Sequence, residues 1–157
     1  NLLLVTAFAL GASSAFADAL SAKPLRVGPV QNYGALGTSG GKIISLVNQK
    51  QVMLRGISLF WSDATGIQYY NPEVISYMAE TLGIDVFRFA MGIQYYNSNG
   101  NASDPLDEAY SYMGAKESYL SKLDQMIQAA IENDVYIIVD WHSHRAENEK
   151  SAAKEFF

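Results

Sequence analysis

Cysteine is absent from the 157 residues, which excludes disulfides, thiolate catalysis and thiolate metal sites. Charged residues make up only 17%, and the formal net charge of -5 is spread without long runs. Neither nucleic acid nor an anionic membrane surface is therefore expected as the main partner. Histidine is scarce too: His142 and His144 are the only two. No apolar run approaches the ~20 residues that span a bilayer. No probable strand is followed by the G-x-G-x-x-G turn of a dinucleotide site. What is present is a chain with 49% hydrophobic residues, enough for one modest domain with a real core.

Leu2–Leu10 is apolar and uncharged, and Gly11 to Ser14 and Ala15-Phe16-Ala17 follow before Asp18. This is the hydrophobic region and small-x-small cleavage site of a secretory signal over residues 1–17, its basic start missing, so export is expected. Residues 18–41, punctuated by Pro24, Pro29, Gly34, Gly37, Gly40 and Gly41, read as an irregular lead-in or linker. Residues 42–157 hold the ordered domain. The chain lacks an initiator Met and stops at Phe156-Phe157 inside a helical pattern, so truncation at both ends is expected.

Within the ordered part, Lys42–Val47 and Gln51–Leu54 flank Asn48-Gln49-Lys50 and predict a short hairpin. A strand is predicted over Leu54–Trp61. Asn71-Pro72-Glu73 then carries a cap, a first-turn proline and an acid suited to the helix dipole. Val74, Ile75, Met78, Ala79 and Leu82 fall on one helical face before Gly83. A second strand covers Ile84–Met91, with Arg88 inside an apolar run. A polar loop leads to a helix with Leu120, Leu123, Ile127, Ala130 and Ile131 aligned. The run Val135-Tyr-Ile-Ile-Val follows, suited to a strand buried on both faces, and ends in Asp140, Trp141, His142 and His144. A third helix starts near Ala146.

This order, a hairpin and then βαβαβα, specifies parallel strands with helical crossovers. An open doubly wound sheet and a (β/α)8 barrel both fit. The long aromatic loops after the first two strands and the leading hairpin favour the barrel. A closed barrel takes ~250 residues, so the chain would carry about three of its eight β/α units plus the hairpin. Such folds place their ligands at the carboxyl edge of the strands.

Four sets of residues are candidates for chemistry. Arg88 needs a carboxylate partner, either Asp140 in a buried ion pair or a catalytic carboxylate that it keeps ionised. His142 alternates with Asp140 on one strand face, with Asp140 one layer deeper. His142-Ser143-His144 also resembles a metal pair, which keeps a metal-dependent barrel hydrolase as an alternative. Phe60, Trp61 and the loop tyrosines suit a sugar ligand, whose C–H faces stack on rings. A non-catalytic glycan-binding module is therefore a further alternative. Parity lets only one of Phe60 and Trp61 face inward. Gly66-Ile-Gln-Tyr-Tyr-Asn71 recurs as Gly92–Asn97, either by coincidence or to set Tyr69, Tyr70, Tyr95 and Tyr96 on one rim.

Leu54-Arg-Gly-Ile-Ser-Leu-Phe-Trp-Ser62, Phe87-Arg-Phe-Ala-Met-Gly92 and Val135–His142 together resemble the first three strands of family 5 glycoside hydrolases. The resemblance is to secreted bacterial endo-β-1,4-glucanases and covers residues 31–157. It implies the N-terminal part of a (β/α)8 barrel that cleaves β-glucan with retention, without metal or organic cofactor, as a monomer at full length. It assigns Arg88 to hold the nucleophilic glutamate. It assigns His142, with His144 beside it, to sugar hydroxyls, and Trp61 or Phe60 to a subsite. The acid/base and the nucleophile are expected after strands four and seven, beyond Phe157. Asn148-Glu149 imitates the acid/base motif, but Lys150 follows where proline belongs, so Glu149 is not expected to be that acid.

Overall fold

The computed structural model describes residues 27–63, 66–94 and 110–157. A short helix α1 (Pro29–Tyr33) precedes two antiparallel strands, β1 (Leu36–Ser39) and β2 (Lys42–Ser45). A three-stranded parallel sheet follows, made of β3 (Gly56–Ser58), β4 (Val86–Gly92) and β5 (Tyr136–His142) in that spatial order. Helix α2 (Pro72–Tyr77), continued by a π-helical turn at Met78–Leu82, connects β3 to β4, and α3 (Lys116–Glu132) connects β4 to β5. Helix α4 (Lys150–Phe156) follows β5.

The lead-in is more regular than its composition implies. The main hairpin turns at Gly40-Gly41, both with positive φ, rather than at Asn48–Lys50. The expected pairing survives as a single bridge between Ile44 and Gln51. Helix α1 forms because its backbone is satisfied from far away. The Gln31 N–H donates to both carboxylate oxygens of Asp134 at 3.1 Å, and the Tyr136 hydroxyl donates to the Gly34 carbonyl.

Helix α2 begins as expected, with the Asn71 Oδ1 accepting from the Glu73 N–H at 2.9 Å. Gly83 ends the segment in the left-handed region, at φ 65°. The intervening π-turn changes which residues are covered. Ile75 and Ala79 are buried, but Leu82 is 60% exposed, against the expected helical face. A π-turn winds wider than an α-turn and rotates every later residue off the apolar stripe. In α3 the buried residues are Tyr119, Leu123, Met126, Ala129 and Ala130, while Leu120 and Ile131 are exposed.

Strand β4 divides its residues by parity. Phe87, Phe89 and Met91 are fully buried against the helices, together with Ile75 and Met126. Each such side chain contributes roughly 1.5–3 kcal/mol. Ile137, Val139 and Trp141 of β5 pack on the same cluster. The opposite face carries Arg88 on β4 and Ile138, Asp140 and His142 on β5, and it is open: Ile138 is 53% exposed. Among the described residues no helix is long and apolar enough to cross a membrane.

Candidate active site

The parallel register pairs Arg88 with Ile138, Ala90 with Asp140 and Gly92 with His142. Arg88 therefore starts two residues below the level of Asp140 and four below that of His142 at the carboxyl edge, and its long side chain rises to meet them. Its Nη2 donates to Asp140 Oδ2 and lies 2.7 Å from His142 Nδ1. The Nη1 donates to Ser58 Oγ at 2.9 Å. His142 Nδ1 also lies 2.9 Å from Asp140 Oδ2. A neutral imidazole has one proton to place. On Nδ1 it is donated to Asp140; on Nε2 it leaves Nδ1 to accept from Arg88.

Arg88 is thus paired with Asp140, but the pair is not buried as its apolar strand implies. The two side chains are 32% and 30% exposed, because the open face of the sheet leaves them partly in solvent. Burial lowers the His142 pKa below the ordinary histidine value, and the Arg88 charge lowers it further, against an opposing pull from Asp140. The ring is therefore held neutral near pH 7, able to give and take hydrogen bonds.

Trp61 completes the cluster. Its ring meets the His142 ring edge-on, with centroids 4.7 Å apart, and the His144 ring at 5.0 Å. Phe60 is 61% exposed and Leu59 is buried, so Trp61 is the aromatic of the two that faces the cluster. The structure brings together Arg88, His142, His144 and Trp61 and leaves Phe60 outside. Ser58 was passed over in sequence. Its signal was its register, opposite Arg88 on the same sheet face.

The tyrosine rim does not form as a set. Tyr70 is 1% exposed and packs on Phe89 with centroids 4.4 Å apart, while Tyr69 is exposed. Tyr95 and Tyr96 lie outside the described residues. Glu149 is buried at the start of α4. Its Oε2 accepts from Trp141 Nε1 at 2.9 Å and its Oε1 from Ser143 Oγ at 3.0 Å. It clasps the side chains on both sides of His142, Trp141 and Ser143. Among the described residues no group of three or more His, Cys, Asp or Glu could hold a metal ion.

Consecutive parallel strands, helical crossovers and a polar cluster at the carboxyl edge define a β/α protein with its site above the strand ends. A family model described as Cellulase (glycosyl hydrolase family 5) matches residues 46–157, and the chain belongs to that family. Endoglucanase Z of Dickeya dadantii is 35% identical over 124 residues, which are 78% of this chain and 26% of that protein. Endoglucanase 5 of Pectobacterium carotovorum subsp. carotovorum is 33% identical over 142 residues, which are 88% of this chain and 25% of that protein. The chain thus spans about a quarter of these relatives' length. The catalytic domain of Thermobifida fusca endoglucanase Cel5A, solved with cellotetraose, superposes with a TM-score of 0.65 at 21% identity, over 82% of this chain and 38% of that one. That likeness shows the fold: a leading hairpin and about three β/α units of a (β/α)8 barrel.

Proposed function

We propose that this chain builds one side of the active site of a retaining glycoside hydrolase that cleaves internal β-1,4-glucosidic bonds in cellulose-type polysaccharides. The observation that supports it is the Arg88–Asp140–His142 cluster against the Trp61 ring at the carboxyl edge. Retention takes two carboxyl groups ~5–5.5 Å apart, one as acid/base and one as nucleophile. Asp140 is engaged by Arg88 and His142, and Glu149 by Trp141 and Ser143. Both roles then fall to later strand ends of the longer protein.

The residues here prepare that chemistry. A guanidinium has five N–H donors, and Arg88 keeps some beyond those given to Ser58 and Asp140. They are available to a carboxylate arriving across the ring, which the positive charge keeps ionised. Neutral His142, with His144 beside it, hydrogen-bonds sugar hydroxyls. Trp61 supplies an aromatic face for a sugar's C–H groups. No metal or organic cofactor enters this route, and the full-length protein acts as a monomer.

Full-length protein should release reducing ends from carboxymethylcellulose with a chelator present. Loss of that activity on chelation would favour metal chemistry at His142 and His144, and no turnover of any β-glucan would favour a binding module. Arg88→Met should cut turnover roughly 10- to 100-fold, the worth of a charge-assisted hydrogen bond. Glu149→Gln should keep most of it, since one carbonyl acceptor remains. We also propose that residues 1–17 direct export. Mass spectrometry of the secreted protein should find an N-terminus near Asp18; retention of Leu2–Ala17 would reject this.

A further inference from the structure

The end of β3 departs from regular pairing where Trp61 leaves it. The Leu59 N–H donates to the Arg88 carbonyl at 3.1 Å, and the next bond of that kind runs from Ser62 N–H to the Ala90 carbonyl at 2.9 Å. The β3 side thus advances three residues while β4 advances two. The extra residue makes a bulge, a device that re-aims a side chain. The space it opens is filled by a hydroxyl from elsewhere. Tyr70 Oη donates to the Phe60 carbonyl, accepts from the Ala90 N–H at 3.2 Å, and lies 3.2 Å from the Ala90 carbonyl. On the other side of Trp61, Ser62 Oγ accepts from the Gly92 N–H at 2.9 Å. Trp61 is therefore pinned to β4 through the residue before it and the residue after it. Both anchors, Tyr70 and Ser62, are fully buried.

We propose that Tyr70 is a positioning residue for Trp61: its hydroxyl is spliced into the bulge between β3 and β4 and holds the indole against His142 and His144. This gives the first Gly-Ile-Gln-Tyr-Tyr-Asn copy a role beneath the rim rather than on it. The phenol is suited to the task, because burial raises its pKa and keeps the proton that Phe60 accepts. Tyr70 touches no substrate and acts only through Trp61. The consequence for glycan affinity rests on the sugar-platform reading above; the effect on the indole does not.

The test uses full-length protein carrying 5-fluorotryptophan, with the Trp61 fluorine resonance assigned from its loss in Trp61→Phe. Tyr70→Phe keeps the ring that packs on Phe89 and removes only the hydroxyl. It should shift the Trp61 resonance and raise KM for cellotetraose roughly tenfold, the scale of buried groups left unmet, with kcat little changed. A folded Tyr70→Phe protein with an unmoved Trp61 resonance would overturn the proposal. Should that variant fail to fold, Ser62→Ala loosens the other anchor of the same bulge and must move the same resonance; an unmoved signal there overturns it equally. A moved resonance with unchanged KM keeps the positioning role and sinks the sugar platform instead.

Discussion

His142 carries the pH response of the cluster, and its sign follows from its surroundings. Burial first, then the Arg88 charge, lower its pKa, while Asp140 opposes them. The unfolded chain therefore binds the proton more readily than the folded one. The stability this contributes is present above the ordinary histidine value of about 6.5 and is lost as pH falls from there through the folded value. In urea titrations, His142→Asn should remove part of the stability loss below about pH 6.5. Histidine NMR should place the wild-type midpoint below the ordinary value, and Arg88→Met should move it up; a downward move would contradict the geometry. Arg88 and His142 were readable as candidates because ionisable groups are costly in an apolar strand. Ser62 and the buried position of Tyr70 were not, because a buried hydroxyl leaves no trace in a hydrophobic pattern, and the exposed Ser58 shows only through its register opposite Arg88.

At the level of elements, local signals succeeded where the partners are local. Asn71, Pro72 and Gly83 fix the limits of the α2 segment from within it. Periodicity failed where the winding changes. The π-turn at Met78–Leu82 carries Leu82 out to solvent and leaves Ile75 inside. Leu82→Gln should thus change stability by no more than about 0.5 kcal/mol, whereas Ile75→Ala should cost roughly 2–5 kcal/mol. Denaturant midpoints of the two variants decide it, and equal losses would restore a continuous α-helix. Helix α1 was unreadable for a different reason. Its N-terminus is capped by Asp134, more than a hundred positions away, and Asp134 takes a positive φ of 52°.

For the whole molecule, the decisive feature is an open sheet. Among the described residues β3 and β5 are edge strands, and the face bearing Arg88, Asp140 and His142 is only partly covered. Exposed strand edges recruit other chains. The 157-residue chain alone should therefore turn over no carboxymethylcellulose and should sediment as a concentration-dependent mixture. Turnover by it would mean that the acid and the nucleophile are already here, against the proposed division of labour.

The sequence by itself determined the alternation of strands and helices, the parallel sheet and the edge at which Arg88 and His142 meet. Period, caps and charge placement act over a few residues and need no knowledge of what lies across the fold. Only tertiary structure decided that Trp61 rather than Phe60 turns to the cluster, that Asp140 bridges Arg88 and His142, and that Glu149 is a clasp. Each depends on register between segments far apart in the chain, and a one-residue bulge is enough to exchange which side chain faces the site.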